Sequence, residues 1–177
     1  KDFKAIFPVH FAGLPVEMRK IKQLADKYDL AIVEDASHAL GAKYINGEMV
    51  GSCKYSNMTT LSFHPVKGIA AGEGGMITTN DSKLYHKLTI LRSHGISKGN
   101  FEFPGISQPD NILNIDEALE DNELKRWYYE MQYLGLNYRI TDIQCALACS
   151  QMEKIDMFLE RRKELVAIYD QAFSQHP

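Results

Sequence analysis

The sequence lacks three features that would each indicate a particular class of protein. No apolar run approaches the length of about 20 residues needed to cross a bilayer, and the first residues do not resemble a signal peptide. Cysteine is scarce, and Cys53, Cys145 and Cys149 match neither a zinc spacing nor a disulfide framework. Lys and Arg are not in excess, since the net charge is −3 and the pI is about 6.1. We therefore expect a protein of the reducing cytoplasm that binds no nucleic acid, membrane or metal ion.

The sequence does contain enough apolar residues for a folded core. With 177 residues, of which 45% are hydrophobic, it is expected to form one globular domain or part of a larger one. Residues 5–10 predict a buried strand, residues 16–28 have apolar side chains at helical spacing, and residues 30–33 are a second apolar run. This order predicts a βαβ unit with a parallel strand pair, and hence an α/β fold. Functional residues are then expected at the carboxyl ends of the strands.

Polar residues follow the second apolar run directly. They are Glu34, Asp35, Ser37 and His38. A carboxylate at the end of a buried strand is costly without a partner, so Asp35 should face a helix N-terminus, a cation or a protonated ligand nitrogen. Asp35 or Ser37 is equally consistent with a cap for the next turn. For His38, the residues alone favour a hydrogen-bonded position in the core.

A glycine-rich turn with a single lysine, Lys67, lies between two β-branched runs. Residues 59–61 lead into it and residues 76–79 follow it. Pro65 and the glycines after Lys67 restrict the backbone, which would hold the ammonium group at a fixed place beside a ligand. Unlike arginine, a lysine can attack a carbonyl once its pKa is lowered. A solvated surface lysine is the alternative; a P-loop is excluded, because its glycines precede the lysine and a Ser or Thr follows it.

Local turn and cap signals divide the middle of the chain. Asn46-Gly47 predicts a two-residue hairpin turn between two short strands. Asp81 is expected to cap a helix that begins near Lys83 and ends toward His94, which either caps that helix or lines a cleft. Residues 99–122 are polar and contain Pro and Gly, which predicts a loop.

Two helices are predicted in the last third of the chain. Thr141 or Asp142 is expected to cap the first, which continues through residue 152. The second is a long amphipathic helix over residues 154–173. Cys145 and Cys149, four residues apart in the first helix, are expected as small core residues.

Five segments together resemble the DegT/DnrJ/EryC1/StrS family of sugar aminotransferases, pyridoxal phosphate (PLP) enzymes of the aspartate aminotransferase fold type I. The matching segments are PVHFAG (8–13), VEDASHALGA (33–42), LSFHPVKGIAAGEGG (61–75), LRSHG (91–95) and LNYRITDIQCAL (136–147). Ala70, Ala71 and Ala148 depart from the residues usual in the family. The resemblance implies that residues 1–152 form part of the large PLP-binding domain, with a mainly parallel sheet flanked by helices. Residues 153–177 would then form a long helix leading toward a C-terminal small domain.

The resemblance also implies a role for each polar residue. Lys67 would bind PLP covalently and, once released, move a proton between substrate and cofactor. Asp35 would pair with the pyridinium nitrogen and keep it protonated. His38 matches a family residue that contacts the hydroxyl side of the ring, and Ser62 would donate a hydrogen bond to the phosphate.

Further residues are implied for the partner subunit and the substrate. Asn137 matches an asparagine that the family supplies to the phosphate of the neighbouring subunit, which implies a homodimer with shared active sites. His10, His94 and Arg139 are candidate substrate contacts.

Within the family, FHPVK (63–67) with WYYEMQYLGLNYR (127–139) is most similar to members of pseudaminic acid biosynthesis. These would transfer an amino group from an amino acid, glutamate in the family, to a UDP-linked 4-keto-6-deoxy-N-acetyl sugar. One alternative is another nucleotide keto-sugar, of the perosamine type. The other is a non-catalytic protein with a PLP-enzyme fold, which Lys67 and Asp35 disfavour, because a scaffold needs neither the amine nor the carboxylate.

Overall fold

The computed structural model describes residues 3–97, 119–120, 123–124 and 129–175. The chain forms two compact units, Lys1–Asn80 with Ile140–Pro177, and Asp81–Arg139. The predicted end of the large-domain part at residue 152, before a helix that leads toward a small domain, stays a prediction.

The first unit is built on a four-stranded sheet. Its strands, in spatial order, are β1 (Ala5–Ile6), β2 (Ala31–Asp35), β3 (Met58–Ser62) and β4 (Gly75–Thr78). The pairs β1–β2 and β2–β3 are parallel, whereas β4 runs antiparallel to β3. The prediction of an α/β fold with a mainly parallel sheet is confirmed.

The predicted βαβ unit is present, with α1 (Met18–Tyr28) between β1 and β2. Strand β1 is shorter than predicted, because the ladder breaks after Ile6 and resumes only as a single parallel bridge between Val9 and Asp35. The helix ends at Asp29, whose left-handed backbone (φ 51°) turns the chain into β2. The core contains Met18 and Ala25 of α1, Ile32 of β2 and Leu61 of β3, together with residues of the loop that follows β3.

The Asn46-Gly47 turn differs from the prediction. The Tyr44 N–H donates to the carbonyl of Glu48 (2.8 Å), so three residues rather than two form the turn. The Asn46 side chain accepts from the Glu48 N–H (3.3 Å), and Gly47 takes a positive φ of 85°. The flanking residues form one isolated bridge, Lys43 with Met49, instead of two strands. The side-chain contact of Asn46 stabilises the longer turn.

The first unit also contains the two predicted C-terminal helices, α3 (Asp142–Met152) and α4 (Ile155–Phe173). Of the two predicted caps, Thr141 and Asp142, it is Thr141 that caps α3, in a reciprocal capping box with Gln144. Cys149 is exposed, so its predicted core position is wrong; Ala148 is the buried residue of α3. The first turn of α4 packs through Ile155 against the core, while apolar residues farther along, such as Val166 and Ile168, are exposed.

The second unit contains a helix, here called α2 (Ser82–Leu91), and two short antiparallel strand pairs. The strands are β5 (Ile96–Ser97) with β8 (Glu130–Met131), and β6 (Leu119–Glu120) with β7 (Glu123–Leu124). Asp81 caps α2 by accepting from the N–H groups of Lys83 (2.7 Å) and Leu84 (3.2 Å), as predicted. The predicted loop 99–122 lies outside the described residues, except for β6. Among the helices described, none combines the length and the apolar character of a membrane span.

Candidate active site

The carboxyl ends of β2 and β3 bring Asp35 and Ser62 to one edge of the sheet. Asp35 pairs with Thr60, so Ser62 lies two residues farther along the parallel neighbour. Side chains alternate between the two faces of a sheet. Glu34 and its partner Thr59 are fully buried, whereas Asp35, Thr60 and Ser62 are half-buried. Asp35 and Ser62 therefore share the more open face, at the edge where α/β sheets bind their ligands.

Asp35 has the partners that a carboxylate at a strand end requires. Its side chain accepts from the backbone N–H of Ser37 (3.0 Å), which caps the following turn. Hydrogen bonds from the Ser37 side chain and backbone lower the pKa of Asp35, and the positive charges of His38 and Lys67 lower it further, while burial opposes them. The carboxylate is thus ionised at neutral pH.

Lys67 lies in the loop between β3 and β4, and that loop is anchored on both sides. At its base, the Phe63 N–H donates to the Gly74 carbonyl and the Ala71 N–H to the Phe63 carbonyl, both at 2.9 Å. Ile69 and Ala71 are each 1% exposed. Lys67 itself is half-buried, and its predicted role stays a prediction.

One hydrogen bond beside the loop that contains Lys67 involves the Ser62 hydroxyl, and another connects this loop to α3. The Ser62 hydroxyl oxygen accepts from the His64 N–H (3.4 Å), which leaves its hydrogen available for an acceptor. The Gln144 side chain, besides its role in the capping box, donates to the Glu73 carbonyl (2.9 Å). Sequence analysis missed this contact, because the two residues are 71 positions apart.

His38 is exposed, so its predicted core position is wrong. Its Nδ1 accepts from the backbone N–H of Ala12 (3.3 Å), and the Phe11 ring lies 5.8 Å from the His38 ring between centroids. His38 therefore sits beside the 3₁₀ turn Phe11–Gly13, at the same end of β2 as Asp35.

His10 occupies the core instead. It has no exposed surface, its Nε2 lies 2.7 Å from a carboxylate oxygen of Glu34, and its Nδ1 accepts from the Val16 N–H (3.0 Å). Both ring nitrogens are engaged inside the unit, so we correct its assignment as a substrate contact to a structural role. The core position that the sequence favoured for His38 is thus occupied by His10.

Glu34 is the centre of a buried polar network that sequence analysis missed. Besides His10, its carboxylate accepts from Tyr44, Ser56 and Thr59, the last at 3.2 Å. Burial raises the pKa of Glu34, but hydrogen bonds from His10, Ser56 and Tyr44 outweigh burial, so the pKa lies below its ordinary value. The available signal was the period of two along β2, which places Glu34 on the same face as Ile32 and opposite to Asp35.

The remaining predicted site residues lie in the second unit. His94 follows α2 with a left-handed backbone (φ 61°), as expected for a residue at a helix end, and is exposed. Asn137 pairs with Ser93 in an antiparallel bridge, and its side chain accepts from the Nε of Arg139 (3.1 Å). His94, Asn137 and Arg139 are therefore neighbours along two adjoining segments, and their roles stay predictions.

No group of three or more His, Cys, Asp or Glu side chains in the described part of the chain could hold a metal ion.

Comparison with known proteins identifies relatives along the whole chain. The profile of the DegT/DnrJ/EryC1/StrS aminotransferase family matches residues 1–177. The UDP-4-amino-4,6-dideoxy-N-acetyl-beta-L-altrosamine transaminase of Campylobacter jejuni serotype O:2 is 39% identical over 177 residues, which are 100% of this chain and 40% of the relative.

Solved structures that are described as aminotransferases also match this chain. PseC of Helicobacter pylori, an aminotransferase involved in the biosynthesis of pseudoaminic acid, matches with a TM-score of 0.79 and 33% identity, over 98% of this chain and 39% of that one. Spr1654 of Streptococcus pneumoniae in its PLP form matches with a TM-score of 0.74 and 26% identity, over 97% and 41%. The chain thus spans about 40% of the length of these relatives.

Proposed function

Because the chain belongs to the DegT/DnrJ/EryC1/StrS aminotransferase family, we propose that it is the cofactor-binding part of a PLP-dependent nucleotide-sugar aminotransferase. The observation that carries the proposal is the shared position of Asp35 and Ser62 on the more open face at the carboxyl edge of β2 and β3, with His38 and Lys67 in the segments that follow these two strands. An amine, an ionised carboxylate and an imidazole then lie at one sheet edge, with the Ser62 hydroxyl on the same face.

The donor set of this edge fits PLP. An ionised carboxylate suits a protonated pyridine nitrogen, a lysine amine suits an aldehyde, and a free hydroxyl hydrogen suits a phosphate oxygen. Asp35, Lys67 and Ser62 would hold these three parts of the cofactor, and His38 the ring hydroxyl. Bound in this way, PLP supplies an electron sink for the negative charge that develops at the substrate carbon.

The residues of the chain then have distinct tasks. Asp35 would keep the proton on the pyridine nitrogen, because its lowered pKa disfavours transfer of that proton to the carboxylate. The Lys67 amine would hold the cofactor and, when free, would take and return the proton at the substrate carbon. The buried anchors Ile69 and Ala71 restrict the loop, so the amine returns to the same place in each turnover.

For the substrate, we extend the proposal to an amino acid donor, glutamate, and a UDP-linked 4-keto-6-deoxy-N-acetyl sugar as acceptor. The identity of 39% to a Campylobacter jejuni transaminase whose name describes such an aminated sugar supports it. The TM-score of 0.79 with PseC gives the same support from structure.

A homodimer in the cytoplasm completes the proposal. Asn137 is exposed in the second unit, where it would be available to the phosphate site of a second subunit. The three cysteines form no disulfide, which agrees with a reducing compartment.

The direct test is chemical identification of the residue that holds the cofactor. The full-length protein that contains this sequence is incubated with PLP, reduced with borohydride and mapped by peptide mass spectrometry. We expect the reduced PLP adduct on the peptide that contains Lys67, and no adduct in a Lys67→Arg variant. An unmodified Lys67 peptide in the full-length protein would overturn the proposal.

A further inference from the structure

Two sets of hydrogen bonds, joined by the backbone between Ala12 and Val16, connect the buried carboxylate of Glu34 to the exposed ring of His38. Glu34 contacts His10 Nε2 (2.7 Å), His10 Nδ1 accepts from Val16 N–H (3.0 Å), and His38 Nδ1 accepts from Ala12 N–H (3.3 Å). The loop 11–15 connects the two histidine contacts. This connection begins on the closed face of the sheet and ends beside the candidate active site.

The first part of this connection fixes the hydrogen on the His10 ring. An ionised carboxylate only accepts hydrogen bonds, so the Nε2 of His10 must carry hydrogen. Its Nδ1 is then the acceptor that the Val16 N–H requires. Three other donors, on Tyr44, Ser56 and Thr59, contact the same carboxylate, so that it stays hydrogen-bonded when one of them is removed. His10 is thus a rigid bridge between the sheet interior and the end of the loop.

The second part fixes the His38 ring. Ala12 has a left-handed backbone (φ 53°), an uncommon conformation for a residue other than glycine. In this conformation its N–H meets His38 Nδ1. Gly13 lies so close that an added Cβ would stand 3.1 Å from the His38 carbonyl oxygen. Since Nδ1 is the acceptor, the neutral ring carries its hydrogen on Nε2.

We propose that Glu34 and His10 are positioning residues that act through the loop 11–15, so that His38 offers its Nε2–H as a donor to the ligand. This inference rests on the proposed function for the identity of the acceptor, the ring hydroxyl oxygen of PLP. It assigns Glu34 and His10 a role in preorganising the site, although neither side chain reaches it.

The test measures which nitrogen of His38 carries the hydrogen. The full-length protein, free of PLP and labelled with ¹⁵N-histidine, is studied by NMR at a pH where the ring is neutral, with the His38 signals assigned by their loss in His38→Asn. In His10→Asn we expect the ratio of the Nε2–H to the Nδ1–H form of His38 to fall about fivefold, the equivalent of one hydrogen bond. The matched control Ser56→Ala removes another donor to Glu34 without contacting the loop, and should leave the ratio unchanged.

A second variant, Gly13→Ala, tests the role of the loop 11–15 without altering Glu34 or His10. Gly13→Ala places a Cβ against the His38 carbonyl in a backbone with φ +86°, which displaces the loop. We expect the same fall in the His38 ratio, with the His10 signals unchanged. An unaltered His38 ratio in folded Gly13→Ala overturns the inference, as does an equal change in Ser56→Ala.

The result of the NMR measurement on His38 can be interpreted independently of the PLP-adduct experiment on Lys67, because the NMR measurement needs no cofactor. A PLP adduct on Lys67 with unchanged His38 ratios would overturn the positioning role alone. Changed ratios without any adduct would overturn the aminotransferase and leave the orientation of His38 established, with its acceptor to be reassigned.

Discussion

Glu34 and Asp35 are consecutive residues of β2, and their carboxylates lie on opposite faces of the sheet. Glu34 has no exposed surface and contacts His10, whereas Asp35 is half-buried and accepts from the Ser37 N–H. Glu34 accepts hydrogen bonds inside the unit, whereas Asp35 lies on the face for which we propose cofactor binding. Variants at the two positions should therefore separate stability from activity.

Replacement of Lys67 by arginine should abolish turnover without unfolding the protein. Arginine keeps the positive charge near Asp35 but cannot attach PLP or exchange protons at neutral pH. Loss of the acid–base function alone should lower kcat by about 10²–10⁴-fold. Steady-state kinetics, with far-UV circular dichroism as the control for folding, measures this, and transamination at the wild-type rate would contradict it.

Asp35→Asn should lower kcat while the strand end keeps its structure. The amide oxygen of asparagine can still accept from the Ser37 N–H, so the turn after β2 is preserved. The charge that keeps the pyridine nitrogen protonated is lost, and we expect kcat to fall by about 10²–10³-fold, the range for loss of one preorganised electrostatic contact. Asp35→Ala, which also removes the turn contact, should additionally lower the melting temperature. Near-normal turnover in Asp35→Asn would exclude the pyridinium role.

Local patterns along the sequence predicted the elements of the fold but not the partners of the buried polar groups. The βαβ unit and the caps at Asp81 and Thr141 depend on residues within a few positions of each other, and these were found. The burial of His10 and the exposure of His38 depend on Glu34 and on a loop folded against β2, which no local pattern encodes. The turn at Asn46 was found, but not its length, which the hydrogen bond from the Tyr44 N–H to the Glu48 carbonyl sets.

Substitution of Gly75, which pairs with Ser62, should destabilise the protein more than substitution of Gly72. A Cβ on Gly75 would stand 2.6 Å from the Leu61 carbonyl oxygen, so β3 and β4 must separate next to Ser62. Gly72 has a positive φ (80°) but open space around it, so its substitution causes backbone strain alone. We expect Gly75→Ala to cost about 1–3 kcal/mol of stability and to weaken PLP binding. Gly72→Ala should cost about 1 kcal/mol and leave PLP affinity unchanged; equal effects would contradict this account. Urea unfolding and PLP titration measure the two quantities.

The hydrogen bond from Tyr44 to Glu34 should make stability depend on pH in a defined sense. Because the folded-state pKa of Glu34 lies below its unfolded value of 4.5, the stabilisation is fully present above that pH and is lost as the pH falls through the lower folded-state pKa. Burial and the neighbouring carboxylate raise the pKa of Tyr44, so its hydroxyl keeps its hydrogen throughout this range. Tyr44→Phe removes one donor to a charged group, and we expect a cost of about 1.5–3 kcal/mol at pH 7.

The difference between wild type and Tyr44→Phe should then shrink as the pH falls below about 4.5, because protonation of Glu34 weakens the bond in the wild type alone. Urea unfolding over a series of pH values measures it. Tyr55→Phe is the matched control, since the Tyr55 hydroxyl accepts from the Asn46 side chain (2.9 Å) at an exposed site. Its cost should stay within about 0.5 kcal/mol and not vary with pH. A pH-independent difference for Tyr44→Phe would mean that the Glu34 carboxylate is not the charged partner, and that the network contributes through packing alone.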